Sequence, residues 1–322
     1  MMRRWILAGS WCTQALALAT LEAQQPAPGA RDSSFMLSTD DPRRSPSPFI
    51  GNGRLGVVIP ALGIGASTSM MAGMYEEAPS DVPRVVTVPA WNAIEVYSGD
   101  RWLEAKAADD GSVSAYRQVL DLKTGTARTS YHWTVGSKPM SVRVETFISR
   151  ADPHLSAVRL SLAPQYQGRL RVRFALLGWP PPRRLPLATL EKAERDWQPA
   201  DIWYPGHMVV RSRSATRVSG GARLSVTATP EGCPATILAQ AAAVTWGKEL
   251  PGVTVRTTAT GDTARVEIAF DASRGRSYTF TQIVSSASSA DGPSPLPLLT
   301  RQAQTAQARG YEALAADNAR AW

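Results

Sequence analysis

Between residues 49 and 285, apolar and polar side chains alternate with a period of two. Val142, Val144 and Thr146 are separated by Arg143 and Glu145, and Val158, Leu160 and Leu162 by Arg159 and Ser161. Leu170, Val172, Phe174 and Leu176 form a third row against Arg169, Arg171 and Arg173. The same rhythm returns at Leu224/Val226, Val253/Val255, Val266/Ile268/Phe270 and Tyr278/Phe280/Gln282/Val284. Successive side chains of a strand point to opposite faces, so each run offers one apolar and one polar side. This is the pattern of antiparallel sheets buried on one face. Turns punctuate the runs at Asp109-Asp110-Gly111, Thr124-Gly125, Gly136-Ser137, Gly220-Gly221, Gly261-Asp262 and Arg274-Gly275. Many short strands between such turns predict a mainly β sandwich or barrel and exclude a βαβ fold.

Two stretches depart from the rhythm. Residues 178–206 hold Trp179, prolines 180–182, Trp197, Trp203 and Tyr204. They read as a long excursion on the sandwich, with Leu187–Trp197 able to form a short helix; excursions of this length are commonly functional. After Ser285 the chain becomes Ala/Ser/Gly/Pro-rich, and from Leu296 to Trp322 it is Ala/Gln/Glu-rich, which predicts a helix weakened at Gly310. No internal repeat is present.

The first 23 residues change the expected compartment. Arg3 and Arg4 precede a mostly apolar run to Leu21, and small residues at Ala17, Ala19 and Ala23 offer cleavage positions. This reads as a secretory signal, so a secreted or periplasmic protein is expected. Gln14 and Glu22 interrupt a run already short of the roughly 20 apolar residues a bilayer span needs, so no stable membrane insertion is expected. Residues 24–44 follow as a flexible tether, then a β domain over 45–285, then a linker and helix over 286–322. Without Cys12 the exported chain keeps only Cys233, which excludes an internal disulfide.

The net charge is +8, carried largely by arginine. In Arg169–Arg173 the arginines alternate with core residues, which puts them on the wet face of a sheet. A solvated surface therefore explains the charge, and no nucleic-acid partner is expected.

Candidate chemistry is sparse. Gly51-Asn52-Gly53 reads as a tight turn, either purely structural or holding Asn52 or Arg54 at the rim of a binding site. Trp91-Asn92 is either a core pair or an indole-and-amide sugar contact. Trp179, Trp197, Trp203 and Tyr204, on the excursion, are the better candidates for an exposed aromatic surface. Glycoside cleavage needs two carboxylates across the scissile bond, or one with phosphate. The adjacent pairs Asp40-Asp41, Glu76-Glu77 and Asp109-Asp110 do not supply that spacing. His132, His154 and His207 are scattered without metal-ligand spacing. No Gly-x-Ser-x-Gly elbow is present. Neither a catalytic residue, nor a metal, nor a cofactor is expected.

The segments Phe49-Ile50-Gly51-Asn52-Gly53-Arg54-Leu55-Gly56, Ala72-Gly73-Met74-Tyr75, Val88-Pro89-Ala90-Trp91-Asn92, Leu120-Asp121-Leu122-Lys123-Thr124-Gly125-Thr126 and Phe147-Ile148-Ser149-Arg150-Ala151-Asp152 follow one another in that order. Their order resembles the N-terminal β-domain of glycoside hydrolase family 65, the maltose, kojibiose and trehalose phosphorylases and related α-glucosidases. The resemblance covers about residues 45–322. A rival, the α-fucosidase-type family 95, shares the Gly-Asn-Gly turn but not the Pro-x-Trp-Asn and Leu-Asp-Leu continuation. Membership would imply a large two-sheet antiparallel supersandwich of the galactose-mutarotase-like type with a C-terminal linker helix. It would also imply catalytic acids in an α/α barrel that this sequence does not contain. The expected role is then to support that barrel, border its α-glucoside site and mediate homodimer contacts. The alternative is a stand-alone, non-catalytic carbohydrate-binding or scaffold module.

Overall fold

The structure, a computed structural model, describes residues 33–77, 83–182, 205–247 and 250–322. The secretory signal, residues 24–32 of the tether, the helix expected over Leu187–Trp197, Trp203 and Tyr204 lie outside the described residues, whereas Met36–Thr39, read from the sequence as tether, pairs with residues 118–121 as an edge strand of the larger sheet. Within Phe35–Trp322, the alternating runs become strands. They are β1 (Met36–Thr39), β2 (Phe49–Gly51), β3 (Leu55–Val58), β4 (Ser69–Met71), β5 (Ala90–Ser98), β6 (Arg101–Trp102) and β7 (Val113–Asp121). Then come β8 (Thr126–Val135), β9 (Lys138–Ile148), β10 (Leu155–Pro164), β11 (Gly168–Leu177) and β12 (Met208–Val218). Strands β13 (Gly221–Pro230), β14 (Leu238–Trp246), β15 (Thr254–Thr260), β16 (Thr263–Ala272) and β17 (Tyr278–Ser288) complete the set.

A nine-stranded sheet runs β1-β7-β8-β9-β10-β17-β14-β13-β12 and a five-stranded sheet runs β15-β16-β11-β5-β6. Adjacent strands in both are antiparallel. The apolar rows seen in the sequence face inward between the two sheets. Phe280 of the first sheet meets Phe174 and Phe270 of the second at ring separations of 6.3 and 5.7 Å. Val158, Leu160, Leu170, Val172, Val266 and Ile268 are fully buried beside them. Each such side chain contributes about 1.5–3 kcal/mol on burial, so this shared layer is the main source of stability. A small third sheet, β2-β3-β4, carries the Gly-Asn-Gly hairpin.

The C-terminal segment forms two helices, α1 (Pro295–Arg309) and α2 (Tyr311–Ala321), where the sequence predicts one. Gly310 adopts φ 82°, a conformation that only glycine reaches without strain, and its N–H closes α1 on Ala306 and Gln307. The helices cover the outer face of the nine-stranded sheet, which the sequence leaves wet. Leu299 of α1 packs on Ala239, Ala241 and Ala287, while Tyr311 and Leu314 of α2 pack on Phe147, Leu155, Ala157 and Ile283. The small side chains of β14 and β17 let a helix lie close to that face.

Candidate functional site

The first and fourth signature segments build one apolar groove. Phe49 and Leu55 on the β2–β3 hairpin, Leu120 and Leu122 at the end of β7, Met70 on β4 and Trp322 after α2 line a cavity of about 440 Å³. Leu122, Phe49 and Trp322 are 45–56% exposed. The patch extends beyond the cavity. Leu37 of β1, also exposed, stands opposite Leu120, and Phe35 accepts a backbone hydrogen bond from Leu122 at 2.9 Å. Five of the nine exposed large hydrophobic side chains among the described residues therefore gather in one place. Isolated exposed apolar residues are ordinary, whereas a contiguous patch marks an interaction surface.

The signature glycines give the groove its aromatic walls. A Cβ on Gly56 would overlap the Phe49 ring, and one on Gly125 would overlap the Trp322 indole. Gly125 also sits at φ 58° in the β7–β8 turn.

Asn52 is committed to structure. Its Oδ1 accepts from the N–H of Arg54 (2.9 Å) and Leu55 (2.8 Å), closing the hairpin. Its Nδ2 donates to the carbonyls of Ser149 (2.7 Å) and Pro153 (3.1 Å), tying the hairpin to the corner after β9. Arg54 lines the groove and pairs with Asp291. Asp291 in turn accepts from the N–H of Ser288 (2.9 Å) and stands 3.4 Å from His154 Nε2. Arg54 is thus the side chain that joins the groove to the approach of α1.

Trp91 and Asn92 lie in the core, each only 2% exposed. Asn92 exchanges hydrogen bonds with Ser67, its Nδ2 donating at 2.7 Å. The backbone around them is gripped from the opposite sheet, Gln240 donating to the Pro89 carbonyl at 3.2 Å and Gln282 to that of Trp91. Of the structural and sugar-contact readings open to this pair, the geometry displays the structural one. Trp203 and Tyr204 belong to the residues not described.

The adjacent acid pairs are separately engaged. Asp41 binds Arg43, Asp110 binds Arg101 and the N–H of Ser112, and buried Glu76 accepts from the N–H of His207 at 2.9 Å. Glu145 on β9 is the centre of a charge cluster, surrounded by Arg128, Arg143 and Arg159. Burial raises its carboxyl, but the hydrogen bonds and charges of Arg159 and Arg143 outweigh that and hold it below the usual range. Arg159 also pairs with Glu312 and stacks 4.2 Å from the Tyr311 ring, so the cluster fastens α2 to the sheet. The sequence shows its members only as polar positions on three successive strands, and it is the antiparallel register of β8, β9 and β10 that brings them together. Among the described residues, no group of three or more His, Cys, Asp or Glu side chains could hold a metal ion.

A profile of the glycosyl hydrolase family 65 N-terminal domain matches residues 39–322. Comparison with curated proteins finds no match. Among solved structures, a "Putative kojibiose phosphorylase from human microbiome" superposes with TM-score 0.68 at 11% identity, over 89% of this chain and 37% of that one. A heparinase III gene product aligns at 6% identity over 69% of this chain and 30% of its own, with TM-score 0.28. The chain therefore spans little more than a third of the phosphorylase it resembles. The profile match, over most of the chain, and the two-sheet fold agree: the chain belongs to glycosyl hydrolase family 65, as its N-terminal domain.

Proposed function

We propose that this is the N-terminal β-sandwich of an exported α-glucoside hydrolase or phosphorylase. In this reading it supports and borders a carbohydrate active site whose reacting carboxylates lie in a separate helical domain. The observation that carries the reading is the apolar groove: two signature segments and the residue after α2 combine to expose Phe49, Leu122 and Trp322 together. Such a surface is suited to receive another protein segment rather than water. The committed acids around it, Asp291 with Arg54 and Asp121 with Arg128, serve to hold elements together. Binding of the apolar dye 1-anilinonaphthalene-8-sulfonate to the purified chain tests the reading. An open groove brings a fluorescence rise that Leu122→Asp and Phe49→Asp suppress, with the fold intact by circular dichroism. A signal indifferent to both substitutions contradicts it.

A further inference from the structure

The β12–β13 hairpin concentrates positive charge that nothing in the fold neutralises. Residues 208–230 hold Arg211, Arg213, Arg217 and Arg223 and no aspartate or glutamate. All four are exposed, and among the described residues none of them meets a carboxylate. Arg211 Nε donates to the Thr229 hydroxyl at 2.9 Å. Arginines elsewhere behave differently: Arg54, Arg128, Arg159 and Arg173 each hold a carboxylate. β12 ends the nine-stranded sheet, and its register sets Arg213 opposite buried Val226 and Arg217 opposite buried Ala222. Charges at such core-side positions guard a free edge against pairing with another strand. That accounts for Arg213 and Arg217 alone. Arg223 lies on the other face, where it lines a cleft of about 220 Å³ between the hairpin and α1. Ser214, Thr216 and Ser225 of the hairpin and Gln304 of α1 line the same cleft, and no carboxylate does.

Three properties define the partner. Every cation on the hairpin is an arginine, whose planar fork of donors fits oxyanions better than a point charge does. The cleft offers hydroxyl and amide groups from two facing walls, which suits a tetrahedral sulfate or phosphate better than a flat carboxylate. The arginines follow the strand on both of its faces, and Arg211 to Arg217 covers roughly 20 Å of it. A flexible chain can run along such an edge, whereas a flat membrane reaches only one face. The hairpin has no aromatic ring on which a nucleobase could stack. We infer that the β12–β13 hairpin binds a linear polyanion bearing sulfate or phosphate groups. Its residues are distinct from those of the groove, so the inference goes beyond the role proposed there.

Fluorescence anisotropy of labelled dextran sulfate with the purified chain tests it, with polyphosphate, polyglutamate and phosphatidylglycerol vesicles as competitors. Saturable binding is expected, with an affinity that falls as salt rises because counterions are released on contact. Arg213→Ala, Arg217→Ala and Arg223→Ala should each weaken it about threefold. Each should also lower the slope of log affinity against log salt by about one. Arg217→Lys keeps the charge and should keep the slope. Arg117→Ala removes an exposed arginine from β7, near the far end of the same sheet, and should change nothing. Unaltered thermal melting checks that each variant is folded. Competition by polyphosphate points to phosphate and its absence to sulfate, and either keeps the inference. No saturable binding at about 50 mM salt overturns it. So does an equal loss in Arg117→Ala, which reduces the effect to net charge, or stronger competition by polyglutamate or the vesicles. None of these failures touches the groove, whose dye assay reads Phe49 and Leu122.

Discussion

Asn52 and Asn318 hold the same corner of the chain. Asn52 donates to the carbonyls of Ser149 and Pro153, while Asn318 Oδ1 accepts from the N–H of Arg150 at 2.9 Å. Asn318 also donates to the Thr124 carbonyl at 2.7 Å, so one fully buried amide on α2 grips two signature turns. The corner, the Gly-Asn-Gly hairpin and the β7–β8 turn are thereby locked to α2, which makes the helix part of the sandwich rather than a free connector.

Removing either amide should loosen this lock. Each bond is worth about 0.5–1.5 kcal/mol, and orphaned buried partners add to the loss. Asn318→Ala should therefore destabilise the chain by about 2–3 kcal/mol in urea unfolding, with Asn52→Ala similar. A change below about 0.5 kcal/mol in both would show that the corner stands without them.

Trp91→Ala should cost about 3–5 kcal/mol, as for a large aromatic removed from a well-packed core. Any loss of sugar affinity in that variant should track loss of fold, seen as a parallel fall in melting temperature. Lost affinity in a chain that melts normally would restore the sugar-contact reading of Trp91.

The Glu145 cluster sets a pH dependence. Its folded pKa lies below the unfolded value, so its contribution is complete above the unfolded pKa, about 4.3 for a free glutamate. The contribution drains away as pH falls through the lower folded value. Thermal melts from pH 7 to pH 3 should show stability declining on the acid side, less steeply in Glu145→Gln than in the parent. Parallel profiles would remove Glu145 from the account.

Gly125→Ala should close part of the groove. The added Cβ displaces the Trp322 indole, and φ 58° costs an L-residue about 1–2 kcal/mol. The expected outcome is a shifted tryptophan emission spectrum and weaker dye binding, neither of which a freely tolerant turn would produce.

Much of the sandwich was legible because burial on one face writes itself into the sequence with period two. The Leu170–Leu176 row and the Tyr278–Val284 row face the core as read. What the period could not convey was anything pairing distant residues. Ala239, Ala241 and Ala287 carry no mark announcing a helix on the outer face. Asn52 declares its turn, yet its grip on Ser149 spans 97 positions. Trp91 is ambiguous because an aromatic beside an amide serves a core and a sugar equally well, and only burial distinguishes them. Gly310 was visible as a weak point, but whether a glycine bends a helix or ends it depends on its φ.

The role proposed for this family 65 domain is to frame carbohydrate chemistry without performing it. The most direct measurement is incubation of the purified chain with maltose, kojibiose and trehalose, with and without inorganic phosphate, monitoring glucose and glucose phosphate. The account predicts no product above the buffer control under either condition. Sustained release of either product, abolished by substituting a carboxylate between Phe49 and Ser285, would contradict it.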